Sequence, residues 1–273
     1  MTQLSNPKYS VLMSVYKAEN PAFLKQSIES ILSQTAPCDD FVIVCDGPLT
    51  DELYNVLDSF NSNQINVIKF PQNEGLGTSL SKGISYCKNE LIARMDSDDI
   101  SSIDRMEKQL GAFINNPELA IISGTICEFT DDIHNIKGKR TLPSTNDEIK
   151  KFSRKRNPFN HPAVMFKKSA VLDAGNYSED FHFFEDYYLW VRMLRKGFVG
   201  ANLEDTLLYM RVDDNTMVRR GGFSYAKTMW KFHSWLKSIK WSSFWDFVSG
   251  ALPHAIICVL PSGLRKLVYK IIH

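Results

Sequence analysis

The stretch IARMDSDDI, residues 92–100, decides how this chain is read. Ile92 and Ala93 belong to an apolar run predicted as a buried strand over 90–94, and three carboxylates follow at once: Asp96, Asp98 and Asp99. Like charges this close repel one another, so the cluster asks for a counter-charge. Working outward toward the N-terminus, YSVLMSV (9–15), FVIVC (41–45) and INVIKF (65–70) read as three more strands. Helices are predicted between them. Asn20-Pro21 supplies a cap and a first-turn proline ahead of the stripe Leu24, Ile28, Ile31 and Leu32. Leu53, Val56, Leu57 and Phe60 mark a second helix over 51–60, and 78–87 a third, after a loop at 71–77. Strand and helix alternate four times, the pattern of a doubly wound, Rossmann-like α/β sheet. Ligands of such sheets bind beyond the carboxyl ends of the strands. Three polar clusters sit there, Ser14 to Glu19, Asp46-Gly47 and Asp96 to Asp99, and the topology predicts that they share one crevice.

A length of 273 residues suits one large α/β domain, or one with an appendage. Beyond Arg105 the pattern becomes α+β. A helix is predicted from Asp104 to Asn115 on Met106, Leu110 and Phe113, with strand-like pieces near 120–126 and a polar, mobile segment over 130–160. A strand over 161–166, an aromatic loop over 175–184 and a helix over 185–196 follow, the last with Leu189, Arg192, Met193 and Lys196 in register. The five cysteines show no metal-type spacing and are odd in number, which predicts a reduced, cytoplasmic chain. No signal peptide is predicted, and no apolar run reaches the roughly 20 residues that a spanning helix needs.

The net charge of +1 is uneven. From Arg219 onward nine Lys/Arg face the single Asp246, so the tail carries about +8 and the rest about −7. Four of the five tryptophans lie there, Trp230, Trp235, Trp241 and Trp245. Basic charge with tryptophan suits an anionic membrane surface; the competing reading is a basic helix packed on the domain through its aromatics. One helical stripe runs through Met229, Phe232, Leu236 and Ile239, and another through Leu264, Val268 and Ile271.

An Asp-x-Asp at a strand end offers oxygen ligands to Mg²⁺ or Mn²⁺, which are held by one or two carboxylates plus substrate phosphates and neutralise charge on a leaving phosphate. The competing reading is a helix cap at Asp99 with the other acids solvated. Glu185-Asp186 at a helix start suits a general base or acids favoured by the helix dipole. In MVRRGG, 217–222, arginine forks suit phosphate oxygens, although a plain surface pair would look the same.

Taken together, SVLMSVYKAENPAFLKQSIESILSQT, FVIVCDGPLTDE, NEGLGTSLSKGI, IARMDSDDI and FFEDYYLWVRML resemble the motifs of the family 2, GT-A fold inverting glycosyltransferases, over roughly residues 8–215. The resemblance implies a GT-A catalytic domain over 1–218. Its donor-nucleotide half covers about 8–105 and its acceptor half 106–218, followed by a basic, aromatic helical tail over 219–273 as a candidate membrane-association segment. It implies Asp46 as the contact to the uracil ring. Ser14, Tyr16, Glu19, Gly75, Arg94, Asp96, Ser97 and Asp98 would surround the nucleotide and donor. Asp98, with Asp96, would be the metal ligands, Asp186 the catalytic base beside Glu185, and His161, Arg219 and Arg220 the contacts to the acceptor or a diphosphate. Cys45 and Pro48 depart from the family's usual VDDGSxD.

The implied reaction moves glucose or galactose from a UDP-sugar to a polyprenyl-diphosphate-linked N-acetylhexosamine, in β-1,3 linkage, during O-antigen or exopolysaccharide assembly. A bacterial enzyme of this kind would act on the cytoplasmic face of the inner membrane. Rhamnosyl or N-acetylhexosaminyl transfer is the alternative within the class. A sugar nucleotidyltransferase would show a glycine-rich loop where SVYKAENP stands. A non-catalytic scaffold on a degenerate fold should have lost one of Asp46, Asp96, Asp98 or Asp186. No nucleic-acid module accompanies the basic tail.

Overall fold

The structure, a computed structural model, describes residues 7–212 and 222–250. Its sheet begins with four parallel strands, β1 (Tyr9–Val15), β2 (Asp40–Cys45), β3 (Ile65–Lys69) and β4 (Leu91–Asp96), in the spatial order β3-β2-β1-β4. The chain winds outward from β1 to β3 and returns on the other side of β1. The switch point therefore lies between β1 and β4, where Ser14 stands opposite Asp96. Helices α1 (Pro21–Leu32), α2 (Asp51–Asp58) and α3 (Leu76–Tyr86) connect these strands. Asn20 caps α1 by accepting from the Ala22 amide at 2.9 Å, and Thr50 caps α2 through the Leu53 amide. Both sheet faces are covered, as a parallel sheet requires. Val11, Met13, Phe41 and Ile43 face a core shared with α1, α2 and α4 (Arg105–Asn115). Leu12, Val42, Val44 and Ile92 face α3 and α7 (Glu185–Arg195).

The second half extends the same sheet. Strand β8 (Met165–Lys167) runs antiparallel to β4 and to β6 (Leu119–Phe129). Strand β9 (Val199–Arg211) lies parallel to β6, and its far end pairs with β5 (Ile100–Ser101), the two residues that follow the acids. The acidic turn is thus held between β4 and β5, with β9 alongside.

Several expectations are corrected here. The polar segment 130–160 is built: β7 (Ile136–Arg140) pairs with β6, and α5 (Asn146–Phe152) opens with a full capping box, Thr145 with Glu148. Local caps and one buried anchor, Ile149, suffice for a helix this polar. Residues 161–166 are not one strand; Pro162 sits in a 3-10 turn, His161–Ala163, before β8. The aromatic loop contains a 3-10 turn, Glu179–Phe181, and α6 (Lys168–Asp173) precedes it.

The tail helix α8 (Phe223–Ser238) docks on the domain. Met229, Phe232 and Leu236 are buried, and Phe232 packs among Phe181, Phe184 and Tyr187. Trp241 donates to the Ser153 hydroxyl at 3.0 Å while Tyr187 donates to the Ser153 carbonyl at 2.7 Å, so one residue ties tail, α5 and α7 together. The first apolar stripe is therefore spent on packing. The second, Leu264 to Ile271, lies outside the described residues. Among the described residues no helix is long and apolar enough to cross a membrane.

Candidate active site

The acidic turn lies at the switch point. The carboxylate oxygens of Asp96, Asp98 and Asp99 all lie within 4.8 Å of one another. Burial first, then Asp96 and Glu19, push the Asp98 carboxyl up to about 7. Asp99 is raised by burial and by the same crowding. Asp99 accepts the Arg211 amide at 2.8 Å through Oδ1, while its Oδ2 is buried without a partner. It therefore caps no helix, as the competing reading would have it. Crowded carboxylates with an orphaned buried oxygen fit a hard divalent cation, which prefers oxygen ligands. Among the described residues Asp98 forms no ion pair, although Arg94 and Arg211 lie near enough to act on it. Asp96 forms one: Arg94, buried in β4, grips both its oxygens. That arrangement suits Asp98 as the direct metal ligand and Asp96 as the neighbour nearer the sugar.

The other residues expected to meet a nucleotide lie at the ends of β1 and β2 and in the loop before α3. Glu19 accepts from the Ser97 hydroxyl. Ser27 donates to the Asp96 carbonyl at 2.7 Å. Ser14 is half-buried at the end of β1, and Tyr16 is exposed just beyond it. Asp46 is almost fully buried. Its carboxylate accepts from Asn73 Nδ2 at 2.9 Å and from the amides of Glu74 at 2.7 Å and Gly75 at 3.0 Å. It pins the loop that leads into α3. Gly47 and Gly75 both sit at positive φ, as this tight crossing requires.

Across the crevice, α7 starts at Glu185 and Asp186. Asp186 Oδ1 accepts the Tyr187 amide at 2.7 Å, and Oδ2 accepts Asn157 Nδ2 at 2.6 Å. Burial raises the Asp186 carboxyl; Asn157 and Arg94 hold it back. Glu185 is raised by burial and by Asp186, and pairs with His182 at 3.2 Å. His161 is partly buried, and desolvation followed by Arg94 keeps its imidazole neutral. Its Nδ1 lies 3.9 Å from Asp186 Oδ2, and its Nε2 lies 2.9 Å from the Tyr177 hydroxyl. Arg94 is the electrostatic link between the two sides, acting on Asp98 and Asp99 as well as on His161, Tyr177 and Asp186. The fold thus brings Ser14, Glu19, Arg94, Asp96, Ser97 and Asp98 together, and places His161 beside Asp186. Arg219 and Arg220 lie outside the described residues.

Four residues of the site were not read from the sequence. Arg211 is stacked between Phe23 and Phe129 and donates to the Asp98 carbonyl at 3.1 Å and to Gln26 at 2.7 Å. It buttresses the acidic turn, but it ends a strand whose pattern had not been recognised. Arg105, fully buried, donates to the Arg94 carbonyl at 2.8 Å. Asn157 and Tyr177 lie in the polar segment 130–160 and the aromatic loop 175–184, where a lone Asn or Tyr carries no sequence signal.

Crowded carboxylates at the switch point and a partly buried carboxylate at the start of α7, linked electrostatically through Arg94, fit a GT-A transferase. The chain matches the family model "Glycosyl transferase family 2" over residues 10–175, and it belongs to that family: it is a glycosyltransferase. It is 40% identical over 268 residues to an uncharacterized glycosyltransferase of Haemophilus influenzae, covering 96% of this chain and 98% of that one. It is 35% identical over 266 residues to the UDP-Gal:alpha-D-GlcNAc-diphosphoundecaprenol beta-1,3-galactosyltransferase of Escherichia coli, covering 97% and 96%. Among solved structures, the mannosyltransferase PcManGT from Pyrobaculum calidifontis, in complex with GDP-Man and Mn²⁺, superposes with a TM-score of 0.66. The match has 14% identity and covers 98% of this chain and 81% of that one, a likeness of fold.

Proposed function

We propose that this enzyme transfers a hexose, galactose or glucose, from a UDP-sugar to an N-acetylhexosamine carried on a polyprenyl diphosphate. The anomeric centre inverts and a β-1,3 linkage forms, as a step in O-antigen or exopolysaccharide repeat-unit assembly. The observation that carries the reading is the pairing of the Asp96–Asp98–Asp99 cluster with Asp186 across one crevice, with Arg94 between them. The near full-length relationship to a UDP-galactose enzyme supports the donor and acceptor classes.

Asp98 and Asp96 would hold Mn²⁺ or Mg²⁺, and the ion when bound supplies positive charge to the leaving diphosphate. The protein's own groups do the rest. The loop pinned by Asp46 and the end of β1 form the nucleotide's seat. Asp186 takes the proton of the attacking acceptor hydroxyl. As that oxygen bonds to the anomeric carbon, the bond from carbon to the UDP oxygen breaks on the opposite face, which inverts the centre. Asn157 and the Tyr187 amide occupy one lone pair on each Asp186 oxygen and fix the direction of those left free.

The lipid acceptor calls for a membrane-facing surface. The outer side of the tail offers one: Phe223, Trp230, Phe244 and Trp245 are exposed beside Lys227, Lys231 and Lys237. Aromatic rings with lysines suit an anionic headgroup layer, so the enzyme sits peripherally on the cytoplasmic face of the inner membrane.

The test combines purified protein, Mn²⁺, a panel of UDP-sugars and a synthetic N-acetylglucosaminyl diphospholipid, with products read by mass. One added hexose, lost with chelator, in Asp98→Ala and in Asp186→Ala, is the expected result. Donor binding without transfer would discard this acceptor; neither binding nor transfer would overturn the reading.

A further inference from the structure

The acceptor-contact role expected for His161 does not use what surrounds that ring. Both of its nitrogens already face protein groups. Nε2 lies 2.9 Å from the Tyr177 hydroxyl, and Nδ1 points at Asp186 Oδ2 from 3.9 Å. Tyr177 packs tilted against the ring and Trp190 packs edge-to-face with it, with centroids at 5.6 and 6.0 Å. A neutral imidazole carries one proton, and the geometry decides where. On Nε2 it would leave the Nδ1 lone pair facing a carboxylate. On Nδ1 it lets the Tyr177 O–H donate to Nε2 and turns an N–H dipole toward Asp186. The second arrangement satisfies every group. Burial also keeps the Tyr177 hydroxyl protonated and able to donate.

We propose that Tyr177 and His161 are a positioning pair, in which Tyr177 fixes the Nδ1–H tautomer of His161 and that N–H aims the Asp186 carboxylate at the acceptor hydroxyl; this rests on Asp186 being the base. The 3.9 Å separation is longer than a hydrogen bond, and contacts of this kind tighten when substrate closes the site. Among the described residues, the groups facing Asp186 are Glu185 and Tyr187 from α7, Arg94 from β4, Asn157 from the segment after α5, His161 from the 3-10 turn and Tyr177 from the loop after α6. Of these, the Tyr177–His161 pair is the one whose dipole direction depends on a tautomer.

The experiment measures kcat and kcat/KM against pH for the full chain, Tyr177→Phe and Asp186→Asn, with UDP-galactose, the N-acetylglucosaminyl diphospholipid and Mn²⁺. Tyr177→Phe removes the hydroxyl and frees the tautomer. The expected result is a kcat lower by roughly tenfold, short of the ~10²–10⁴-fold attached to a general base itself, with donor KM unchanged. The acid limb of kcat/KM moves to higher pH, because Asp186 then holds its proton more tightly. Unchanged kcat and an unmoved acid limb in folded Tyr177→Phe overturn the pair. A second reading does not depend on turnover: ¹⁵N-histidine NMR of the wild-type chain, with the His161 signal identified by its loss in His161→Gln. An Nδ1–H tautomer supports the pair and an Nε2–H tautomer overturns it. Full activity in Asp186→Asn would instead remove the base on which the pair rests, a failure separate from the tautomer result.

Discussion

Replacing Phe232 by alanine tests whether the tail helix is part of the catalytic unit. The ring is fully buried. Its centroid lies 4.6 Å from Tyr187, 5.2 Å from Phe184 in a stacked pair and 5.3 Å from Phe181 edge-on. Burial of such a side chain contributes about 1.5–3 kcal/mol, and each aromatic pair about 0.5–1.5 kcal/mol more. With the cavity left behind, a loss of about 3–5 kcal/mol is expected, against a total of roughly 5–15 kcal/mol for a folded domain. The assay is equilibrium urea unfolding followed by tryptophan fluorescence, with Trp245→Ala, on the exposed side, expected to stay within about 0.5 kcal/mol. Activity should fall too, because Phe184 immediately precedes Glu185 and Asp186. A loss below about 1 kcal/mol with unchanged kcat would refute the reasoning. It would mean that α8 is not part of the cooperative fold and that its apolar stripe is free for other surfaces.

Two further outcomes are expected. The Asp98 carboxyl sits at about 7, above its ordinary 3.8, so the folded chain binds that proton more tightly than the unfolded chain. Stability from this source is full in acid and is lost as pH rises through that window. In chelator the melting temperature should therefore fall as pH rises from the ordinary 3.8 to about 7 and level off above it, Asp98→Asn should flatten the slope, and Mn²⁺ should restore stability; a flat wild-type profile would contradict the crowding described. At Gly47 an added Cβ would stand 2.6 Å from the Asn73 amide nitrogen, at φ +82°. Gly47→Ala should cost at least about 1–2 kcal/mol from the left-handed backbone alone and weaken UDP-sugar binding several-fold, with acceptor KM unchanged; wild-type donor affinity by calorimetry would sink the account of the pinned loop.

Much of this protein is written locally. The four parallel strands are largely apolar runs, three of them buried on both faces and β3 half-buried at the sheet edge, and the first helices carry their caps in sequence, so β1 to α3 could be read without a partner in view. β4 runs two residues further than expected, to Asp96, because paired backbone rather than apolar side chains sets where a strand ends. The Asp-x-Asp motif is legible because crowded carboxylates at a strand end have few structural reasons to be there, whereas Glu-Asp at a helix start also suits the helix dipole and stands out only beside the other motifs.

The second half was less legible. β9 goes unread because its burial does not alternate cleanly: register shifts against β6 break the period that a strand shows in sequence. α5 is too polar for a periodicity argument and is held by its capping box. Arg211, Arg105, Asn157 and Tyr177 carry no motif at all; each acts on a residue far away in the chain, 29 positions in the case of Asn157 and Asp186. The composition of the tail allowed membrane or protein as the partner of its apolar stripe, and only packing decided that Met229, Phe232 and Leu236 face the domain while Trp230 and Trp245 face outward. The sequence by itself determined the parallel-sheet half and singled out its acids, because short-range periodicity and unusual charge density are local properties. The tertiary structure decided which groups aim those acids, because hydrogen-bond direction and burial exist only once distant segments meet.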